Sequence, residues 1–522
     1  MNRRQKIIIS VTGIFIVLLA LIGLTYAYFL TRITGNTNTN SISVTTANLQ
    51  LVYADGNGIL QTGKLEPSND YITFLDGQGN EHSSKIFTVT NNGNATVEDY
   101  KVYLENVQNQ FERKDDLVYT LTCKSYINYD KASKAISGEC TGVNSEITFP
   151  SVITSIVSND IAVGITHEYE LKVKYKEMGV DQSVDMNKLL SAKINIYDST
   201  TKFLAREILD NALSTATVTY NKSTYIEPTL QDGTTYTIPA HATSLANERI
   251  LTYTMDDYGT SYYYRGNVED NYVTFSNKCW RIVRIQGDGS IKLTLESQSR
   301  CSEDMTSDFS IGSTNWGYKT ENSKDIGDYK SSTSGMKNLL TTWFDTNFKS
   351  DGNLTNAGLK IKNEEWCLGN ITNAYAYKSP YGELGTTAAQ NYISGTNFYY
   401  ETGRNLYGKG VTPNATLKCN GETDSSKIGA LTADEVAFAG GKAGSANTNY
   451  YLHNSSYYWW TLSRSDFYGA IDYAFRVGGI GGLYGSRVDN IHYVRPAVSL
   501  NTGAKIISGE GTKGNPYIIN EG

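Results

Sequence analysis

The chain has 522 residues, enough for roughly two to four domains, and carries a formal net charge of −7. Nucleic-acid-binding proteins are usually basic, so this charge argues against a nucleic-acid partner. Tyr is abundant, with 39 residues against 15 Phe, and Asn, Ser, Thr and Gly are frequent. Tyr-rich composition of this kind is typical of binding surfaces, and also of exported β-rich proteins in general.

The N-terminus predicts export. Arg3, Arg4 and Lys6 precede an apolar run at residues 7–29, and about 20 apolar residues suffice to cross a bilayer. Residues 1–30 are therefore interpreted as a signal or a membrane anchor. Cleavage after Ala27 would release the protein, whereas the long apolar core fits an uncleaved anchor, so we expect a cell-surface or secreted protein.

Residues 41–200 predict an all-β sandwich. Tyr169, Leu171, Val173 and Tyr175 alternate with charged residues, the pattern of a strand with one buried face. Further strands are predicted at residues 117–123 and 191–197, and two more flank a turn at residues 91–94.

The stretches TYAYF, TANLQLVY and NNGNATVEDYKVYLENV make residues 5–200 resemble the camelysin/TasA family of exported β-sandwich proteins. Members of that family build extracellular fibres by donating a strand to a neighbour. The resemblance implies self-assembly through the sandwich, with residues 36–53 as the donor segment. The alternatives are that this segment is the first strand of a self-contained domain, or that the sandwich serves only as a stalk.

Residues 201–250 predict a short helix followed by a linker. Leu204, Ile208 and Leu213 have helical spacing, and a Thr-rich polar stretch with Pro228 and Pro239 follows. His241, in this linker, is interpreted as a solvated side chain.

Residues 251–522 predict an α+β domain. A hairpin is expected at residues 272–297 across Gly-Asp-Gly-Ser at 287–290. A helix is expected where one apolar stripe is formed by Met336, Leu339, Leu340, Trp343 and Phe344. A second, short helix at 431–441 is marked by Thr432 three residues before Glu435, the spacing of a capping box.

Five blocks in this region, RGNVEDNYVTF, WRIVRIQGDGSIKL, LTADEVAFAGG, YYWWTLSRS and VRPAVSL, resemble a bacterial C-type-lectin-like domain distantly akin to the formylglycine-generating enzyme. The resemblance implies a compact core with an irregular ligand-binding face near the C-terminus. Some lectin-fold proteins are diversified at such a face, and this segment is rich in the residue types that result, although Gly- and Tyr-rich loops are also ordinary in such domains.

The candidate ligand-binding residues lie between YYWW and VRPAVSL. Aromatic rings offer stacking faces and Arg offers a fork for carboxylates. The candidates are Trp460, Arg464, Asp466, Tyr468, Asp472, Arg476, Tyr484, Arg487, Asp489 and His492. Trp459 and Trp460 are expected on opposite faces of a strand, one in the core and one available to ligand, whereas Tyr473 and Phe475 are expected in the core.

Six cysteines in an exported chain predict three disulfides. Pairing between sequence neighbours gives Cys123–Cys140, Cys279–Cys301 and Cys367–Cys419, while the sequence leaves other connectivities open. The chain has no CxxC motif, so no zinc site is expected, and no cofactor is expected either.

The sequence favours binding over catalysis. Motifs of common hydrolases are missing, and the resemblance to the formylglycine-generating enzyme does not extend to a close cysteine pair near the C-terminus. The pairs Asp256-Asp257 and Glu269-Asp270 are interpreted as solvated turn charges, since adjacent carboxylates point apart. The calcium triplets of lectins are missing as well.

The leading hypothesis is a surface adhesin or receptor of a Gram-positive-like bacterium that binds an extracellular glycan or protein without catalysis. The N-terminal helix would provide its contact with the membrane. A fibre-forming matrix subunit is the alternative from another class, and an enzyme of the formylglycine-generating class is a third.

Overall fold

A computed structural model of the chain describes most of both predicted folded regions. The described residues are 30–35, 41–44, 49–55, 60–61, 67–76, 78–185, 188–197, 199–215, 249–317, 328–330, 334–368, 378–379, 382–383, 416–419, 423–441, 446–468 and 471–522. The predicted signal or anchor, apart from Leu30, and most of the predicted linker, with His241, lie outside them. Within the described residues, no helix has the length and apolar character needed to span a membrane.

The chain divides into two compact units, Met1–Thr200 (unit 1) and Thr201–Gly522 (unit 2). Strands dominate the regular structure, which confirms the mostly β fold class, and helices of the described residues are short.

The described part of unit 1 consists of strands and two 3₁₀ turns at Lys114–Asp116 and Ser183–Asp185. Its described strands are β1 (Leu30–Gly35), β2 (Ser41–Val44), β3 (Leu49–Asp55), β4 (Leu60–Gln61), β5 (Phe74–Leu75), β6 (Glu81–His82), β7 (Lys85–Asn91), β8 (Val97–Asn109), β9 (Leu117–Ile127), β10 (Ala135–Glu139), β11 (Val143–Thr148), β12 (Thr154–Ile161), β13 (Ile165–Tyr175) and β14 (Leu189–Tyr197).

These strands form two sheets around one apolar core, as predicted for a sandwich. One sheet has the order β12-β8-β14-β1-β4-β5-β6, and the other β10-β9-β13-β7-β3-β2, with β11 also paired to β9. The inward side chains of β13 are almost fully buried, Tyr169, Leu171 and Val173 each at 0% exposure. They meet residues of the facing sheet such as Tyr100 and Ile194 in a single core cluster.

The predicted turn at residues 91–94 carries the chain from one sheet to the other. Strand β7 belongs to one sheet and β8 to its partner sheet. The buried Asn91 fixes the crossing, because its side-chain amide donates to the carbonyls of Ala95 and Ile161 at 2.8 and 2.9 Å.

The predicted donor segment at 36–53 contributes β2 and β3, within the described part of that range. Strand β2 pairs with β3, and β3 pairs with β7 of the same chain. In this structure the described part of the segment therefore pairs with strands of its own chain, as in the alternative of a self-contained domain.

Unit 2 combines strands with four helices among its described residues. The helices are α1 (Leu204–Thr215), α2 (Gly335–Phe348), α3 (Asn356–Lys360) and α4 (Ala433–Ala439). The strands are β15 (Lys202–Phe203), β16 (Arg249–Met255), β17 (Thr260–Gly266), β18 (Tyr272–Phe275), β19 (Lys278–Ile285), β20 (Ile291–Ser297), β21 (Ser313–Thr314), β22 (Lys349–Ser350), β23 (Asn353–Leu354), β24 (Glu364–Cys367), β25 (Lys378–Ser379), β26 (Gly382–Glu383), β27 (Thr423–Ser426), β28 (Trp459–Tyr468), β29 (Ile471–Val477), β30 (Leu483–Arg487), β31 (His492–Tyr493), β32 (Ala497–Leu500), β33 (Lys505–Ser508) and β34 (Tyr517–Ile519).

Two larger sheets organise the described part of unit 2. The first has the order β15-β33-β34-β18-β19-β17-β16, and β20 joins β19 to β32. The second, which we call the five-stranded sheet, has the order β21-β31-β28-β29-β30. Short two-stranded pairs, β22-β23, β24-β27 and β25-β26, complete the strand pairing.

The predicted local elements of unit 2 are confirmed. Strands β19 and β20 form the expected hairpin, in which Ile285 pairs with Ile291. Helix α2 buries Met336 and Phe344 of its apolar stripe. Helix α4 begins with the capping box formed by Thr432 and Glu435.

The three disulfides join the cysteines in the predicted local pairs, Cys123–Cys140, Cys279–Cys301 and Cys367–Cys419. The first ties β9 to the segment after β10. The second ties β19 to the loop after β20. The third links the end of β24 to the segment at 416–419, so each bond fixes a loop against a strand.

Candidate functional site

The predicted ligand-binding residues gather on the five-stranded sheet. Strands β28, β29 and β30 are antiparallel neighbours, and glycines at 478–482 allow the tight turn between the last two. Strand β28 carries Trp460, Arg464, Asp466 and Tyr468, β29 carries Asp472 and Arg476, β30 carries Tyr484 and Arg487, β31 carries His492, and Asp489 follows β30.

One cross-strand row of this sheet forms a cationic and aromatic surface. Arg476 pairs in register with Trp460 on one side and Tyr484 on the other. The guanidinium carbon of Arg476 lies 4.8 Å from the ring centre of Tyr458 and 5.6 Å from that of Tyr484. We call Tyr458, Arg476, Tyr484 and His492 the arginine face. Cation–π contact with two rings limits where the guanidinium can point, and its Nε and Nη1 are buried away from solvent.

His492 completes the arginine face as a neutral side chain. Its Nε2 lies 2.8 Å from Ser486 Oγ, and its ring packs against Trp460 with centres 4.6 Å apart. Burial lowers the pKa of His492 to about 4, and the charge of Arg476 adds to the effect. At neutral pH the positive charge of the arginine face therefore belongs to Arg476.

Trp460 was predicted to be available to ligand, but its side chain is buried. Trp459 and Trp460 are both fully buried, each with 0% of the side chain exposed. The strand is covered on both sides: Trp459 packs beside Phe309, whereas Trp460 lies beneath His492 and donates from its indole to the carbonyl of Thr314 at 2.9 Å. Trp460 therefore supports the arginine face from the buried side, through its contact with His492.

Arg487 and Asp489 were predicted as separate ligand contacts, but they bind each other. Arg487 Nε and Nη2 donate to the two carboxylate oxygens of Asp489 at 3.0 and 2.9 Å. This bidentate pair uses the fork that a ligand carboxylate would need. Arg464 is half-buried, with its guanidinium carbon 5.8 Å from the ring centre of Trp316.

The backbone positions of Asp466, Tyr468 and Asp472 lie toward the far end of the β28–β29 hairpin, and their side chains lie outside the described part of the structure. Phe475 is buried, as expected, whereas Tyr473 is only half-buried. Tyr458 was missed as a site residue. It sits directly before β28 with 49% exposure, and the YYWW stretch was its only signal.

The interpretation of Asp256 as a solvated turn charge is wrong. Asp256 is 4% exposed, accepts from Arg284 Nη1 at 2.7 Å and accepts from the backbone N–H of Gly287 at 2.9 Å. The turn packs against the β19–β20 hairpin at Gly287. A Cβ at position 287 would overlap the backbone nitrogen of Gly259, so only glycine fits there. Glu269 is solvated as predicted, with 64% of its side chain exposed.

Asp256 belongs to a buried ion network that sequence reasoning did not find. Glu435 Oε1 accepts from Arg284 Nε at 3.0 Å and from Lys292 Nζ at 2.9 Å. Burial opposes ionisation of Glu435, but the charges of Lys292 and Arg284 outweigh it and lower its pKa to about 2. The capping-box spacing identified Glu435 as part of the cap of α4. Its partners Arg284 and Lys292 lie far from it in sequence, so no local pattern predicted them.

One group of metal-ligating side chains converges among the described residues. Sulfur atoms of Cys123 and Cys140 and a ring nitrogen of His167 lie within 4.8 Å of one another. Both sulfur atoms belong to a disulfide, so they do not offer the thiolates that bind metal.

Comparison with protein-family models gives no match for this chain, and comparison with curated proteins gives none either.

Proposed function

We propose that this is an exported cell-surface protein of a Gram-positive-like bacterium that binds an extracellular ligand through the arginine face and catalyses no reaction. In this proposal unit 2 is a C-type-lectin-like domain, and unit 1 is a camelysin/TasA-like sandwich that carries it. Three disulfides support an oxidising environment outside the cytoplasm.

The observation that carries the proposal is the contact of the Arg476 guanidinium with two tyrosine rings. Tyr458 keeps about half of its side chain exposed at 49%, and Arg476 and Tyr484 are half-buried. Arg binds carboxylates, and tyrosine rings stack on sugar or aromatic planes while losing little conformational entropy. The chemistry fits an acidic glycan.

Exposed apolar side chains also lie near the same sheet. Ile480 is 54% exposed in the turn between β29 and β30, and Ile491 is 60% exposed just before β31. Apolar side chains clustered around polar ones are typical of interaction sites. The ligand is therefore expected to reach beyond a single sugar.

The test is a binding screen of the full exported chain on acidic glycans, neutral glycans, mucins and host matrix proteins, with and without a calcium chelator. We expect a specific acidic ligand whose binding resists the chelator. Arg476→Met and Tyr458→Ala should each abolish or strongly weaken the signal. Arg249→Met is the matched control, because Arg249 is an exposed cation of unit 2 on another sheet. Binding that survives both substitutions would contradict the proposal.

A second candidate function, fibre formation, is favoured by the exposed edge strand β10. All five residues of β10 are exposed, and Ile136 reaches 66%. Open edges pair readily with another copy of a strand. In this candidate, β10 would pair with a second copy of the chain.

Electron microscopy at rising protein concentration tests that candidate. Filaments that disappear in the variant Ile136→Lys would favour the fibre subunit, since a charge at an edge blocks pairing. A chain that stays monomeric at every concentration would remove it.

A further inference from the structure

Unit 2 contains a polar pocket of about 160 Å³ that shares no residue with the arginine face. The Asp256–Tyr258 turn, the β19–β20 hairpin, β24 and the start of α4 surround it. Its described lining is rich in acids: the carboxyl groups of Asp256, Asp257, Glu364, Glu365, Asp434 and Glu435 outnumber the cations of Arg284, Lys292 and Lys418.

Internal partners satisfy part of this negative charge. Arg284 and Lys292 hold Glu435, and Arg284 also holds Asp256. Glu364 accepts from Gln286 Nε2 at 2.8 Å and lies 3.4 Å from Lys362 Nζ. The two buried cations of the lining are thus engaged with Asp256 and Glu435.

Asp434 is another buried carboxyl group of the lining. It is 3% exposed, and its Oδ1 accepts from the backbone N–H of Thr416 at 3.1 Å. Burial raises its pKa to about 7, the hydrogen bond from Thr416 opposes this rise, and the charge of Glu435 adds to it. A cation beside Asp434 would favour the ionised form.

Gln286 gives a second, independent observation: its side-chain oxygen is buried and lacks a hydrogen-bond donor in the described part of the structure. Its side chain is 0% exposed and lines the pocket, and its Nε2 donates to Ser290, Glu364 and Ser499. Its Oε1 has no hydrogen-bond donor among the described residues. A buried acceptor without a donor loses the hydrogen bond that it makes with water in the unfolded chain, so a ligand that donates there gains affinity.

We infer that this pocket binds a primary ammonium group, which donates to Asp434 and Gln286 and offsets the acidic lining. An ammonium carries three donors and no acceptor, and a methylammonium-sized head is compact. An anion would meet the carboxylates. Among the described residues, the acids of the pocket do not gather in threes at metal-ligating distance, so a divalent cation fits less well.

The expected pH dependence follows from Asp434. Its surroundings in the pocket include the charged groups of Asp256, Asp257, Arg284, Lys292, Glu364, Glu365, Lys418 and Glu435. Methylammonium stays protonated through this range, while Asp434 becomes ionised as pH rises through about 7. Affinity for the ammonium should therefore increase roughly tenfold between pH 6 and pH 8.

The test is calorimetric titration of the full exported chain with methylammonium, glucosamine and lysine amide, with N-acetylglucosamine as the uncharged probe. We expect the amines to bind and N-acetylglucosamine not to bind. Glucosamine binding more tightly than lysine amide identifies an amino sugar as the source of the ammonium, and the reverse identifies an amine of an amino acid. Failure of every amine, or equal binding of N-acetylglucosamine, would overturn the inference.

Asp434→Asn supplies the decisive variant. The amide oxygen still accepts from Thr416, so the fold is expected to persist, which the tryptophan emission spectrum checks. Affinity should fall at least about tenfold at pH 8, and the pH dependence should vanish. Glu269→Gln removes one exposed carboxylate elsewhere in unit 2 and should change neither. An unchanged pH profile in Asp434→Asn would also overturn the inference.

Discussion

Arg495 shows how a single residue combines packing with charge in unit 2. It is 1% exposed, its Nη2 donates to Glu296 Oε2 at 2.6 Å, and its Nε donates to the carbonyl of Leu295 at 2.8 Å. Its guanidinium carbon also lies 4.4 Å from the ring centre of Phe309. Loss of Arg495 would leave the Glu296 carboxylate without this partner in a largely buried place, a costly change.

We predict that Arg495→Met lowers the free energy of unfolding of unit 2 by about 3–5 kcal/mol. All 6 tryptophans of the chain lie in unit 2, so tryptophan fluorescence in a urea titration reports on this unit. The control Arg249→Met breaks an exposed pair with Glu269 and should cost less than about 1 kcal/mol. Equal losses in the two variants would contradict the prediction.

His492 predicts a pH effect with a defined sign. Its folded-state pKa of about 4 lies below the ordinary value of 6.5, so between these values the unfolded chain takes up a proton that the folded chain does not. The His492 contribution to stability is complete above pH 6.5 and is lost as pH falls toward 4.

His492→Asn should flatten this part of the pH dependence. The measurement is the free energy of unfolding of both proteins by tryptophan fluorescence at several values between pH 7 and pH 4. The wild-type value should fall more steeply than that of the variant. Parallel curves would show that His492 titrates normally in the folded protein.

At the scale of elements, periodicity predicts what a segment becomes but not what covers it. The alternation at Tyr169–Tyr175 and the stripe of α2 were predicted correctly, because each depends on local spacing. The burial of Trp460 was not, since it depends on β31 and on Thr314, which lie far from it in sequence or across the sheet. The same holds for Asp256, whose partner Arg284 comes from another strand.

The β29–β30 turn positions the arginine face through Gly478. A Cβ added there would lie 3.1 and 3.2 Å from two ring carbons of Tyr484, closer than side chains normally pack, and in ordinary contact with Arg476 Nη1 at 3.4 Å. Gly478→Ala should therefore displace the Tyr484 ring and weaken ligand binding several-fold without unfolding the sheet.

Binding titration together with the urea midpoint checks this prediction. We expect a higher dissociation constant. The shift of the urea midpoint should be only a small fraction of the shift that Arg495→Met causes. Unaltered affinity would show that the position of Tyr484 does not matter for the ligand.

At the scale of the whole molecule, the sequence predicted a mostly β chain with three local disulfides, but the segment that it predicted as an irregular binding face forms most of a regular five-stranded sheet. It did not predict which residues of that segment pair with one another, such as Arg487 with Asp489. The acidic pocket escaped entirely, because its lining comes from segments up to 179 positions apart (from Asp256 to Glu435).

The disulfides predict a measurable share of the stability of unit 2. Cys279 and Cys301 are 22 positions apart, and closing such a loop stabilises the folded state by roughly 3 kcal/mol in the chain-entropy model. The double substitution Cys279→Ala with Cys301→Ala should lower the free energy of unfolding of unit 2 by about that amount in the tryptophan-monitored urea titration. No change in the midpoint would contradict the prediction.

The central claim is that the arginine face binds the extracellular ligand. Its most direct test is the dissociation constant of the acidic ligand found in the screen, compared between wild type, Arg476→Lys and Arg487→Lys. Arg476→Lys loses the planar guanidinium that contacts Tyr458 and Tyr484, so we predict at least about a tenfold weaker complex, whereas Arg487→Lys should change affinity less than about threefold. Equal effects of the two substitutions, or a larger effect at Arg487, would contradict the account.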